Sequence, residues 1–313
     1  DPVETINKLY PDSNTYRSIV RVIDQDVRAN VGELMPASTL HFSELGQHTL
    51  YVIFDNKEAP MGYVHVRSEE SEWGLVEVAW AIDTNMRIAD FHFQRCRSMH
   101  KKALQYPAFK TQLIGKNFEE LSALLAEDGI SINAEKVQVS DDATLLATAV
   151  IRSGLKTLLV TQFAWEKEVN QYRFWQSAND YFDEMDNIKV MRSPITSSVI
   201  KALDTEFDGL SIGINRDTVT LAKVMGKQGK VIGALYQGQF NNGQKTVNIE
   251  WAIAPDKTIL GVRNTAGWQS DTDKNVFEKV VGSHFDSFKQ CKDLAELMAL
   301  EAILTSEAVF NQQ

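Results

Sequence analysis

The chain writes one apolar strand twice. "VEVAWAID" at 76–83 and "VNIEWAIA" at 247–254 coincide when Trp80 is set on Trp251, an offset of 171 residues (251 − 80), and Ile88 then falls on Ile259. A repeat constrains the fold more than any single motif, because each copy must bury the same face against an equivalent set of neighbours. The match extends outward. Upstream, "SIVRVIDQDV" at 18–27 parallels "SVIKALDTEF" at 198–207, with Asp24 on Asp204; downstream, "LIGKNFEEL" at 113–121 parallels "VVGSHFDSF" at 280–288, with Gly115 on Gly282. The small drift of offset is what insertions in surface loops produce. At 313 residues and 43% hydrophobic, the chain has material for two modest cores.

Each half has one plan of helix, strands and further helix. In "YRSIVRVIDQDVRANV", Ile19, Val22, Ile23 and Val27 are spaced for a helix, with Ser13 or Asn14 as its cap. Next come short β-branched and aromatic runs, "TLYVIFD", "MGYVHVRS", "GLVEVAWAID" and "RIADFHFQR", separated by turn residues, and they predict an antiparallel meander. The second half answers with "TVTLAKVMG", "VIGALYQGQF", "KTVNIEWAIA" and "ILGVRNT", and "NNG" at 241–243 reads as a hairpin turn. Between the halves, 142–185 reads as helical with a bend at Gly154, and its aromatic latter part is expected to pack between domains. Ser193 before Pro194 marks the next helix start. The expected fold is therefore α+β, with a first repeat over 1–162, a helical connector over 163–192 and a second repeat over 193–313.

The strands "GYVHVRS" and "GLVEVAWAIDTNMRIADFHFQ", then "FKTQLIGKNFEEL" and a late "VQVSDDATLLATAVIRSGL", resemble the FMN-binding domain family. That family includes the flavin-carrying exported subunits of the Rnf and sodium-pumping NADH:quinone reductase complexes, and regulators of the NosR type. The resemblance implies two tandem FMN-binding-domain-like units, each an antiparallel sheet with packed helices. It also implies export to the bacterial periplasm or cell envelope, with which the absence of an opening methionine is consistent, and a protein partner such as a membrane redox complex. In the family, a Ser/Thr-Gly-Ala-Thr segment opening a helix carries FMN on its threonine, and a Glu-Thr-Pro-Gly turn completes the site. Here "SDDAT" at 140–144 stands for the first, making Ser140 and Thr144 the candidate phosphate residues, but Asp141 and Asp142 occupy it with carboxylates that repel a phosphate dianion. "NTAG" stands for the second in part, through Asn264, Thr265 and Gly267. With both motifs degraded, the expectation is a non-catalytic accessory or scaffold protein without cofactor; the alternative is an electron carrier with FMN on or near Thr144.

Other chemistries are thinly supported. Net charge is −10 with no basic block, which argues against a nucleic-acid partner, and no apolar run approaches the roughly 20 residues that span a bilayer. His92, Cys96 and His100 would share a face on a helix, yet they lie on a strand and a basic turn, so no metal site is expected. Gly226, Gly229 and Gly233 read as hairpin glycines rather than a phosphate loop, since no Gly-Lys-Ser/Thr comes after them. Cys96 and Cys291 could form one disulfide, and the sequence leaves that pairing open. Trp80 and Trp251 read as paired core residues.

Overall fold

The computed structural model describes residues 2–194, 218–241, 246–265, 271–288 and 293–311. The fold is α+β, with two five-stranded antiparallel sheets, each running in simple sequence order. The chain divides into two compact units, Asp1–Arg173 and Phe174–Gln313.

The first unit opens with helix α1 (Pro2–Leu9), strand β1 (Thr15–Ile23) and helix α2 (Gln25–Leu34). Strands β2 (Gly46–Phe54), β3 (Pro60–Ser71), β4 (Gly74–Asp83) and β5 (Ile88–Arg95) complete its sheet. Short helices α3 (Lys101–Gln105), α4 (Pro107–Lys110) and α5 (Phe118–Ser122) lead to the long helix α6 (Thr144–Ala164). Helix α7 (Glu166–Tyr181) comes next, then the second sheet: β6 (Met185–Pro194), β7 (Thr218–Gly226), β8 (Val231–Asn241), β9 (Thr246–Ile253) and β10 (Ile259–Asn264). Helices Asp271–Glu278 and Leu294–Phe310 end the chain.

The structure corrects several expectations. The helix read over Tyr16–Val31 is instead strand then helix. Thr15–Ile23 pairs along its whole length with β2, from Thr15 opposite Phe54 to Ile23 opposite Gly46, so its β-branched residues serve an edge strand. Asp24 caps α2, its carboxylate accepting from the Asp26 and Val27 N–H groups, while the Ser13 hydroxyl donates to the Tyr10 carbonyl instead of capping anything. Ser193 and Pro194, read as the start of a helix, are the last two residues of β6. Positions 195–217, and with them the repeat segment 198–207, lie outside the described residues, as do most of the "NNG" turn, Gly267 and Cys291.

The repeat is visible in backbone geometry. Asp83 N–H donates to Arg87 at 2.8 Å, and Ala254 N–H to Thr258 at 2.9 Å, closing the same turn in each copy. Met86 and Lys257 both take the left-handed conformation there, at φ 61° and 69°. Gly115 and Gly282 share φ 81° and donate to Ile88 and Ile259 at 2.7 and 2.8 Å. A left-handed backbone at that closure explains why both copies use glycine.

Trp80 and Trp251 are fully buried on the corresponding central strands. Trp80 packs under α6, its indole N–H donating to the Ser153 hydroxyl at 3.0 Å. Gly154 does not bend α6, which runs unbroken to Ala164; a Cβ there would sit 3.0 Å from the Trp80 ring, so the glycine is the seat of the indole. In the second unit Trp251 joins the Leu294–Phe310 helix in one core and meets Phe277 edge-on at 6.2 Å. The opposite face of each sheet has its own cover: Ile6 and Leu9 of α1 with Tyr10 just after it in the first unit, and Phe174, Ala178 and Phe182 in the second. The aromatic residues of α7 are thus consumed by cores, Tyr172 in one unit and Phe174 in the other. Among the described residues the helix Asp141–Ala164 alone is long and apolar enough to cross a membrane, and its apolar window is 83% buried as the core helix of the first unit.

Candidate functional site

Ser140 and Thr144 come together at the start of α6, where the Thr144 hydroxyl donates to the Ser140 carbonyl at 3.3 Å. A helix start of this kind presents free N–H groups to an anion. Here Asp141 and Asp142 already stand there, both exposed. The Ser140 hydroxyl, with the His100 imidazole 3.5 Å away, holds the Asp142 carboxyl below its usual range, so the end of α6 carries carboxylate charge at neutral pH. This donor set does not suit an FMN phosphate. Asn264 ends β10 and Thr265 comes directly after it, with the Thr265 N–H and hydroxyl both donating to the Asn248 carbonyl, at 3.0 and 3.4 Å. His92 and His100 have different partners, Gln105 and Asp142, and among the described residues no three histidine, cysteine or acidic side chains gather around a metal-sized space.

The most concentrated chemistry lies elsewhere. The period of two along β3 puts Tyr63, His65, Arg67 and Glu69 on one face, and all four are buried. Lys156, 1% exposed on α6, meets this face: its Nζ lies 2.9 Å from Glu69 and 3.5 Å from Glu44. Arg67 Nη2 donates to Glu44 Oε1 at 2.8 Å, and Arg152 pairs with Glu69 at 2.9 Å. Glu44 is placed by the short turn Phe42–Glu44, where its other oxygen accepts from the His41 N–H at 2.8 Å. Burial would raise the Glu44 carboxyl, but Arg67 and Lys156 outweigh it and hold the group ionised, below its usual range.

His65 closes the ladder, its Nδ1 2.8 Å from the Thr161 hydroxyl and its ring edge-on to Trp165. Burial first, then the Arg67 charge, push its pKa well below the ordinary value, and the same two causes lower His48. A histidine lowered in the folded state takes up its proton preferentially when unfolded, so stability falls as pH drops below the unfolded value of about 6.5, by up to about 1.4 kcal/mol per pH unit for each group. Urea unfolding of the first unit between neutral pH and pH 5 is expected to show this slope, and His65→Gln to reduce it. An unchanged slope in His65→Gln would assign the effect elsewhere.

Sequence reading missed this cluster. The available signals were the alternation His65, Arg67, Glu69 within one strand and a lysine in the otherwise apolar stretch "SGLKTLLV". The matching strand positions of the second unit differ: Tyr236 pairs with Trp251 as His65 pairs with Trp80, and Gly238 and Phe240 come next where Arg67 and Glu69 stand in the first. Tyr236 donates to Glu301 at 2.5 Å, and the buried Glu250 is held by Gln237 and Arg263. Compared with known proteins, the chain matches no protein-family model, and no curated protein aligns with it significantly.

Proposed function

We propose that this chain is a non-catalytic accessory or scaffold protein of an exported redox or membrane-associated assembly, descended from a duplicated flavin-binding-type domain. One observation carries the reading. The repeated core keeps its strands, tryptophan and turn hydrogen bonds in both units, whereas the helix start at Ser140–Thr144 presents Asp141 and Asp142 where a phosphate would sit. Function resides in sites rather than folds, and here the site has changed more than the scaffold. The export, the bacterial envelope and the protein partner rest on the family resemblance of the sequence.

Intact mass and an absorption spectrum of protein purified from its native host test this. The expected result is the bare chain mass and no flavin band, since that band belongs to the isoalloxazine and not to the chain. A mass increase equal to FMN, abolished by Thr144→Ala, would replace the scaffold reading with a covalent flavin carrier.

A further inference from the structure

We propose that two copies of this chain associate about a two-fold axis through the face that β1 and β2 present on the α1 side of the first sheet. The association goes beyond the scaffold reading and does not depend on it.

The strand register defines the face. Tyr16 stands opposite Ile53, Ser18 opposite Tyr51, Val20 opposite Thr49 and Val22 opposite Gln47, so the period of two puts these eight side chains on one side of the sheet. It is the side that α1 covers, since Ile53 and Val64 share a cluster with Ile6 and Leu9. Among the described residues, that cluster takes in no side chain of β1. Val20 and Val22 are left 51% and 57% exposed, and Tyr16 is exposed beside them with its ring edge-on to Tyr51. Adjoining exposed apolar side chains mark an interaction surface.

The second unit shows that the fold does not ask for them. Leu50 and Leu221 hold the same place, opposite His65 and Tyr236, and their other partners are Ile19 and Met191. Counting along each edge strand from that pair matches Tyr16 with Ile188 and Val20 with Arg192. Ile188 is buried in one cluster with Phe174 and Phe182, and an arginine stands where the first unit exposes a valine.

Charge and shape select a second copy as the occupant. At a net charge of −10 two copies repel, yet none of the eight side chains on this face carries charge at neutral pH. An uncharged face offers nothing to a partner of opposite sign and spares a like copy the repulsion. On this side of the sheet acids begin at β3, with Glu70, and Glu77 on β4 has Arg95 3.8 Å away. Beside the two valines lies a recess of about 360 Å³, lined by Thr49, Tyr51 and Val66 and, on α1, by Pro2 and Thr5. A two-fold axis between valines and recess lets Val20 and Val22 of each copy enter the recess of the other, the reciprocal contact of an isologous interface. Extension of the sheet is not the route, because the Ile19 carbonyl on the edge strand already accepts from the Trp165 indole at 3.0 Å.

Sedimentation equilibrium of the purified chain from about 1 to 100 µM tests this, a range that brackets a micromolar interface. The expected result is a mass that rises from one chain to two and stops there. Val20→Arg, which brings in the residue found at the matching place in the second unit, is expected to weaken association about tenfold or more by setting like charges against each other across the axis. Val22→Lys is expected to do the same. Leu34→Arg, an equally exposed apolar position on α2, is expected to leave the mass profile unchanged, and unaltered urea midpoints show that all three variants fold. A single-chain mass throughout, growth past two chains, a dimer that Val20→Arg and Val22→Lys leave intact, or one that Leu34→Arg weakens as much would each overturn the proposal.

Discussion

Gly62→Ala is expected to cost the first unit about 4 kcal/mol, a large share of the roughly 5–15 kcal/mol that holds a typical domain together. Gly62 lies on β3 with φ +150°, where a side chain is strained. A Cβ there would stand 2.2 Å from the Ile82 carbonyl and 2.4 Å from the Tyr10 hydroxyl. These two atoms are themselves joined, Tyr10 donating to Ile82 at 2.8 Å, so the clash falls on backbone and on the contact that ties Tyr10 to the sheet. Overpacking contributes about 1–3 kcal/mol and backbone strain about as much again. Gly115→Ala is the matched control: its φ is +81°, yet nothing lies within 4 Å of the new Cβ, so the expected loss is about 1 kcal/mol. Urea denaturation of the two variants measures the difference. Equal losses would mean that the close approach at Gly62 is not a tight one.

Lys156→Met is the second change with a large expected effect, a loss of about 3 kcal/mol at neutral pH, because removing one partner of a buried pair strands the other. The ammonium sits between Glu69 and Glu44, with its own side chain and that of Glu69 each 2% exposed and that of Glu44 12%. Without it, Glu69 keeps only Arg152 and Glu44 keeps Arg67. Adding Glu69→Leu to Lys156→Met removes the stranded charge, and Arg152, with 22% of its side chain exposed, turns to water. The double variant is therefore expected to recover most of the loss, a strong coupling in a double-mutant cycle. Additive losses would show that the two side chains do not act as a pair.

Much of the architecture was legible because strands buried on a face repeat their apolar pattern. Trp80 and Trp251, with Gly115 and Gly282, carried the duplication in the sequence, and the backbone closes in the same way at both sites. Strand β1 was misread because an exposed edge strand has no apolar alternation; Ile19, Val22, Ile23 and Val27 happen to fit a helical period, and the true helix begins only after Asp24. The role of α1 as cover for the sheet left no signal at all, since its counterpart in the second unit is the latter half of α7 and the two share little sequence. The ladder escaped for a different reason. Polar residues alternating with Val64 and Val66 read as the solvent face of a strand, but β3 is covered on both sides, by α1 and its neighbours on one and by α6 on the other. Only the packing of Lys156 and Arg152 against that strand turns His65, Arg67 and Glu69 from surface into interior.

The proposal of a scaffold descended from a flavin-binding-type domain is tested most directly by a titration of FMN with the purified chain, monitored by flavin fluorescence and anisotropy. Asp141 and Asp142 at the start of α6 predict that both signals stay at the values of free FMN up to micromolar protein, and that replacing the two carboxylates by Asp141→Gly and Asp142→Ala lets the helix N–H groups attract the phosphate. Saturable quenching of one FMN per unmodified chain would contradict the account and return Thr144 to the centre of its function.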